Sequence, residues 1–217
     1  RYGIMNKYAL GTIVGSALLG LVKAKRGGRN EYRPDNIEDI YNLSPQEKAQ
    51  ITILDLEGMR LTQLPDDIFD GFTNLKELYL SNQLTEIPDS IGNLTNLEIL
   101  HLGNNQLTEI PDSIGNLTNL KKLNLFFNKL TELPDSIGNL TNLKRLILRD
   151  NKLTELPESI GNLTKLKWLS LRDNPWKKPL DPVAIFKMIN NRFHKNTIQN
   201  LLDMNKNIKT KSNLRIK

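Results

Sequence analysis

The chain has 217 residues, a length that fits one domain with appendages. It has no cysteine, which excludes disulfide staples, thiolate metal sites and cysteine nucleophiles. Its net charge of +6 hides an asymmetry: residues 1–30 carry six basic side chains and no acid, residues 175–217 carry ten against two acids, and the middle carries fourteen against twenty-two. Basic ends on an acidic body, without aromatics interleaved among the basic residues, disfavour nucleic acid as a partner.

The first segment, residues 1–30, holds YALGTIVGSALLGLV from Tyr8 to Val22, flanked by Lys7 and by Lys23, Lys25, Arg26 and Arg29. As a helix these residues reach about 22 Å, short of a bilayer core of about 30 Å. The length fits the apolar region of a signal peptide starting at Met5, with Val22 and Ala24 as small cleavage-site residues. The basic cluster fits instead an uncleaved anchor, contacting a membrane or a large assembly through residues 8–30. A packing helix with a small-residue face of Gly11, Gly15, Ala17 and Gly20 is the third reading. All three stay open; the anchor implies a membrane-associated or assembly-associated location, the signal peptide a secreted one.

Residues 31–50 read as an N-terminal cap. Asn36 to Leu43 forms a short amphipathic turn. Ser44-Pro45-Gln46-Glu47 has the spacing of a capping box with proline at the first helical position, predicting a short helix.

From 51 to 176 the chain repeats itself. LTEIPDSIGNLTNL stands at Leu84 and again at Leu107, with near copies at Leu130 and Leu153. Aligned on leucine, six units start at Ile51, Leu75, Leu97, Leu120, Leu143 and Leu166, three of them 23 residues long. In the unit at Leu120, Leu123 and Leu125 alternate with Lys122, Asn124 and Phe126, which predicts a short strand. Asn128 follows at a turn, where a buried amide can bond neighbouring backbone; its counterparts are Asn82, Asn105, Asn151 and Asn174. Pro134 ends the strand, and Ile137, Leu140 and Leu143 recur every third residue, as a 3₁₀-like return requires. One such coil cannot bury its own leucines and is stable only when stacked. The unit at Leu75 is one residue short, which predicts a local kink against the coil at Leu97.

This spelling, LxxLxLxxNxL followed by LPxxIxxL, resembles leucine-rich-repeat proteins, most nearly the 23-residue Ras-suppressor type. The resemblance covers about residues 51–176. It implies an α/β solenoid: a leucine-rich-repeat horseshoe with a parallel concave sheet and an irregular or 3₁₀ convex side, capped by short helices. It implies no reaction and no cofactor.

Function should lie where the copies differ. By alternation the outward strand positions form three columns on the concave face. The first is Ile53, Glu77, Ile99, Lys122, Arg145 and Trp168; the second Asp55, Tyr79, His101, Asn124, Ile147 and Ser170; the third Glu57, Ser81, Gly103, Phe126, Arg149 and Arg172. Early coils are acidic and late ones basic, with aromatics between. Aromatics with arginine are typical interface anchors. The expectation is a protein partner across this face, with Phe126, Trp168, Arg145 and Arg149 as anchors. A structural component that cements a large complex through its basic termini is the alternative.

Weaker signals have structural explanations. The acidic rows Glu86/Glu109/Glu132/Glu155 and Asp89/Asp112/Asp135/Glu158 fit duplication on a solvated surface. Four Asn-Leu-Thr sequons, at Asn93, Asn116, Asn139 and Asn162, belong to the repeat's own bends. His101 and His194 are the only imidazoles, and no nucleophile–base pair is evident, so no catalytic or metal residue is assigned. After Asn174-Pro175-Trp176 breaks the repeat, residues 177–204 read as a helical cap with Val183, Phe186, Ile189, Ile198, Leu201 and Leu202, and residues 205–217 as a basic tail.

Overall fold

The structure, a computed structural model, describes residues 30–177. The apolar stretch at 8–22, the helical cap from 178 onward and the basic tail lie outside the described residues. Among the described residues no helix is long and apolar enough to cross a membrane.

Seven parallel strands form one open sheet in sequential order. They are β1 (Glu31–Tyr32), β2 (Ile53–Asp55), β3 (Glu77–Tyr79), β4 (Ile99–His101), β5 (Lys122–Asn124), β6 (Arg145–Ile147) and β7 (Trp168–Ser170). The sheet therefore starts before the repeat. β1 pairs with β2 through Glu31↔Ile53 and Tyr32↔Leu54, a strand too short to show alternation in the sequence. Behind it Asn36 caps a 3₁₀ turn at Ile37–Ile40, and Ser44 caps α1 (Pro45–Gln50) with the predicted capping box to Glu47.

Each three-residue strand is held by what stacks beneath it. Leu54, Leu78, Leu100, Leu123, Leu146 and Leu169 are register partners in turn, and all are buried. Fully burying a leucine is worth about 2–3 kcal/mol, so the column supplies what a strand this short lacks. The convex returns are 3₁₀ turns at Asp89–Asn93, Asp112–Asn116, Asp135–Asn139 and Glu158–Asn162, each entered from a proline in extended conformation. Gly115 explains one invariant letter: a Cβ there would stand 2.8 Å from Ser136 Cβ, so only glycine lets adjacent returns approach. Phe69 and Phe72 are buried in the return of the first coil; after the last coil Trp176 is buried and its Nε1 donates to the Leu171 carbonyl at 3.2 Å.

The asparagine ladder is built as expected. Asn128 Nδ2 donates to Leu102 O (2.8 Å) in the preceding coil and to Leu125 O (3.1 Å) in its own, while Oδ1 accepts from Leu107 N (3.0 Å). Asn105, Asn151 and Asn174 repeat these contacts. A second ladder escaped the sequence reading. Asn74, Asn96, Asn119 and Asn142, in the Thr-Asn-Leu or Phe-Thr-Asn-Leu lead-in to each strand, donate to Ala49, Thr73, Thr95 and Thr118 carbonyls one coil back.

The short unit at Leu75 changes the turn and leaves the strands in register, with Glu77↔Ile99 and Tyr79↔His101 paired like the rest. The residue it lacks is the left-handed one. Gly58 (φ 77), Asn104 (φ 57), Phe127 (φ 53), Asp150 (φ 57) and Asp173 (φ 56) occupy that place in the other coils. In its absence Asn82 N donates to Asn105 Oδ1 at 3.0 Å, where Asn105 N and Asn128 N reach a backbone carbonyl.

Candidate functional site

The outward strand positions share one face of the sheet: the first two columns are partners in the strand register, and the third, just past the strand ends, follows through backbone bonds such as Asn104 N to Phe126 O and Phe127 N to Arg149 O. Tyr79, Phe126 and Trp168 are partly exposed on it. Ile53, at the head of the first column, is buried beside the added β1 and offers no outward surface. Gly103 is covered too: a Cβ there would lie 2.4 Å from Phe126 Cδ1, so the Phe126 ring lies over the place a side chain would fill.

Over β2 to β4 the polar groups close on one another. Arg33 from the N-terminal segment reaches Asp55 at 3.1 Å, and Asp55 also accepts from Glu57 N. Tyr79 Oη donates to Glu77 Oε2 at 2.7 Å. Ser81 Oγ donates to Glu57 Oε1 at 2.9 Å and lies 3.2 Å from His101 Nδ1, which is itself 3.2 Å from Glu57 Oε1. Serine, histidine and glutamate thus meet, which nothing in the sequence indicated because they come from three coils. The geometry is not that of a hydrolytic triad, where serine and acid take opposite ring nitrogens. Here both face Nδ1, and Nε2 is held by Asn124 Nδ2 at 2.6 Å. Asn124 Oδ1 already accepts from Phe126 N, so its NH₂ group is the one turned to the ring.

Over β5 to β7 the polar groups point outward. Arg149 stacks on Phe126, its guanidinium carbon 5.0 Å from the ring centroid, and Arg145 stacks on Trp168 at 5.3 Å. Such cation–π contacts use the face of the guanidinium, while its N–H groups lie at the edge, where a carboxylate can bind. Phe126 meets His101 edge-on at 6.2 Å, and His101 meets Tyr79 at 6.1 Å, so an aromatic row runs from β3 to Arg149. Lys122, Arg145, Arg149 and Arg172 are exposed; Ile99, Ile147 and Ser170 are half-buried. Among the described residues the only carboxylate within ion-pair reach of these four cations is Asp150, at 3.8 Å from Arg149.

One residue at this end was missed. Phe127 is 62% exposed at φ +53, beside Phe126 on the rim of the turn. The doubled phenylalanine, where the neighbouring coils read Gly-Asn and Arg-Asp, was the available signal. Among the described residues no group of histidine, cysteine, aspartate and glutamate is arranged to hold a metal ion.

Two family models match the chain: a leucine-rich repeat at residues 49–107 and 81–130, and a leucine-rich repeat region at residues 114–190. The 23-residue subclass is not distinguished by either. No curated protein matches. Among solved structures, a leucine-rich-repeat protein of Leptospira interrogans is 36% identical, covers 68% of this chain and superposes with a TM-score of 0.62. The plant peptide hormone receptor RGFR1, solved in complex with RGF2, is 43% identical over 58% of this chain with a TM-score of 0.53. The functional domain of InlJ from Listeria monocytogenes, which includes a cysteine ladder, is 26% identical over 70% with a TM-score of 0.56. This chain spans only 36%, 21% and 31% of those three chains respectively.

Proposed function

We propose that this chain, which belongs to the leucine-rich-repeat proteins, is an interaction module that takes a protein partner on its concave face. The observation that carries this reading is the pair of aromatic–guanidinium stacks, Phe126 with Arg149 and Trp168 with Arg145, each made between adjacent coils of the hydrogen-bonded sheet. Large rings and arginines held in place lose little ordering entropy on binding, which is how few contacts yield high affinity. Glu77, Tyr79, Ile99, His101, Lys122, Asn124, Ile147, Ser170 and Arg172 complete the surface, and Asp55 and Glu57 close its far end. The solved complex of the receptor RGFR1 with RGF2 supports a protein or peptide ligand for a scaffold of this kind. Attachment to a membrane or a large assembly through residues 8–30 is part of the same proposal and rests on their sequence alone.

The test is affinity capture from the native source with the full chain and with a Phe126→Ala/Arg149→Ala double variant, followed by mass spectrometry. A protein recovered with the first and absent with the second supports the reading. Recovery of identical proteins with both sinks it.

A further inference from the structure

The left-handed site of the turn is filled by Gly58, Asn104, Asp150 and Asp173 in four coils and by Phe127 in the fifth. Glycine, asparagine and aspartate tolerate that backbone conformation; a bulky side chain there is a strained outlier. Phe127 is nevertheless held there by the ladder of backbone bonds, its N–H donating to Arg149 O (3.1 Å) and its carbonyl accepting from Asn105 N (3.2 Å). It is also one of two large apolar side chains exposed among the described residues, the other being Tyr41. Folding gains nothing from a strained ring in water, so its value must lie in something the ring contacts.

The surroundings say what that is. Phe127 adjoins Phe126 in sequence and follows it round the edge of the sheet, and the Arg149 guanidinium lies over Phe126. Lys122, Arg145 and Arg172 lie on the same end of the face with no carboxylate within ion-pair distance among the described residues, and Lys129 and Lys152 are exposed along the rim. At the other end, Asp55, Glu57 and Glu77 already have partners inside the molecule. The complementary occupant is negatively charged with an apolar side chain.

Building on the proposed function, we infer that the binding surface turns the sheet edge at Phe127 and receives an acidic protein segment, whose carboxylates meet Arg145, Arg149 and Arg172 while an apolar side chain packs on Phe126 and Phe127. Within the surface proposed above, this segment occupies the late half of the concave face plus this rim, and the internally paired carboxylates of the early half bound it.

The probe is a fluorescein-labelled peptide of seven residues alternating glutamate and aspartate around one leucine and one phenylalanine, about 23 Å when extended. It is titrated by anisotropy against the full chain and the Phe127→Asn and Phe126→Ala/Arg149→Ala variants, with an amide (Gln/Asn) version of the peptide as control. Anionic vesicles of phosphatidylserine form a separate arm. Asparagine is the residue at 104, so Phe127→Asn is expected to keep or raise Tm while weakening peptide binding by about tenfold or more. A merely structural role would lower Tm and leave binding alone. If Phe126→Ala/Arg149→Ala loses the peptide but Phe127→Asn keeps it, the rim inference is overturned and the concave reading stands. Equal binding of the amide peptide overturns the acidic chemistry. Vesicle binding that depends on Phe127, without peptide binding, overturns a protein segment in favour of a lipid surface.

Discussion

On β2 and β3 the outward carboxylates find partners within the molecule: Arg33 on Asp55, Ser81 and His101 on Glu57, and the Tyr79 hydroxyl on Glu77. At the late end the exposed arginines sit over rings, Arg145 of β6 over Trp168 of β7 and Arg149, just past β6, over Phe126. The same backbone, repeated in register, carries a closed polar network at one end and an open one at the other. The difference teaches that charge on a repeat surface is informative only after its internal partners are known. An acidic row that is internally paired offers little to a ligand. A stacked guanidinium with no carboxylate, as at Arg145, or only a distant one, as at Arg149 with Asp150 at 3.8 Å, offers a great deal.

Charge reversal gives the largest expected effect. Arg145→Glu with Arg149→Glu is expected to weaken binding of the captured partner by about 30-fold or more, the scale of a lost hot spot. Asp55→Asn is expected to change it by less than about threefold, since a peripheral charge matters little. Interferometry with the purified partner measures both, and equal losses would break the contrast between the halves.

Gly103→Ala sharpens it sterically. The new methyl would meet the Phe126 ring at 2.4 Å and swing it from beneath Arg149. Because the ring can rotate toward solvent, stability is expected to fall by about 1 kcal/mol or less while partner binding drops about tenfold. Urea unfolding and the same binding assay together read the two effects.

Glu57→Gln tests the closed half. It weakens the acceptor for Ser81 Oγ and for the His101 ring, and the group is about a third exposed, so the expected cost is about 1 kcal/mol in urea unfolding with capture unchanged. A loss of capture without a loss of stability would move the footprint to the early coils.

The smallest effect concerns the cap beneath that half. Tyr41 is 45% exposed as a whole, and partial desolvation, then the 2.7 Å hydrogen bond to Asp67, pushes its phenol above the ordinary range. Its folded value exceeds the unfolded value of about 10, so its contribution is complete below about pH 10 and is lost as pH rises through the higher value. Tyr41→Phe is therefore expected to lose less Tm than the parent chain between about pH 8 and pH 11, as thermal melts at the two values would read.

Much of this molecule was legible in the letters. A leucine at every second strand position, a proline before each return and a turn asparagine each leave a backbone group or a face with one favourable place to go, so Leu123, Pro134 and Asn128 declared their environments. The lead-in asparagines were harder, because Asn119 is exposed and only its bond to Thr95 O one coil back gives it a role. β1 was harder still: two residues show no period, and Glu31 becomes a strand because Ile53 presents it an edge.

The sequence by itself determined the stack, the direction of its strands' side chains and the sorting of acid early and base late. Repetition makes each of those a local rule, satisfied once per coil. Only the tertiary structure decided which charges are engaged and which are open, since Glu57, Ser81 and His101 meet from three coils and Phe126 fills the space that Gly103 leaves. It alone set Phe127 on the rim in a conformation that suits asparagine. Contacts between coils depend on side-chain reach across a spacing of about 5 Å, and that distance is not written in any one copy of the repeat.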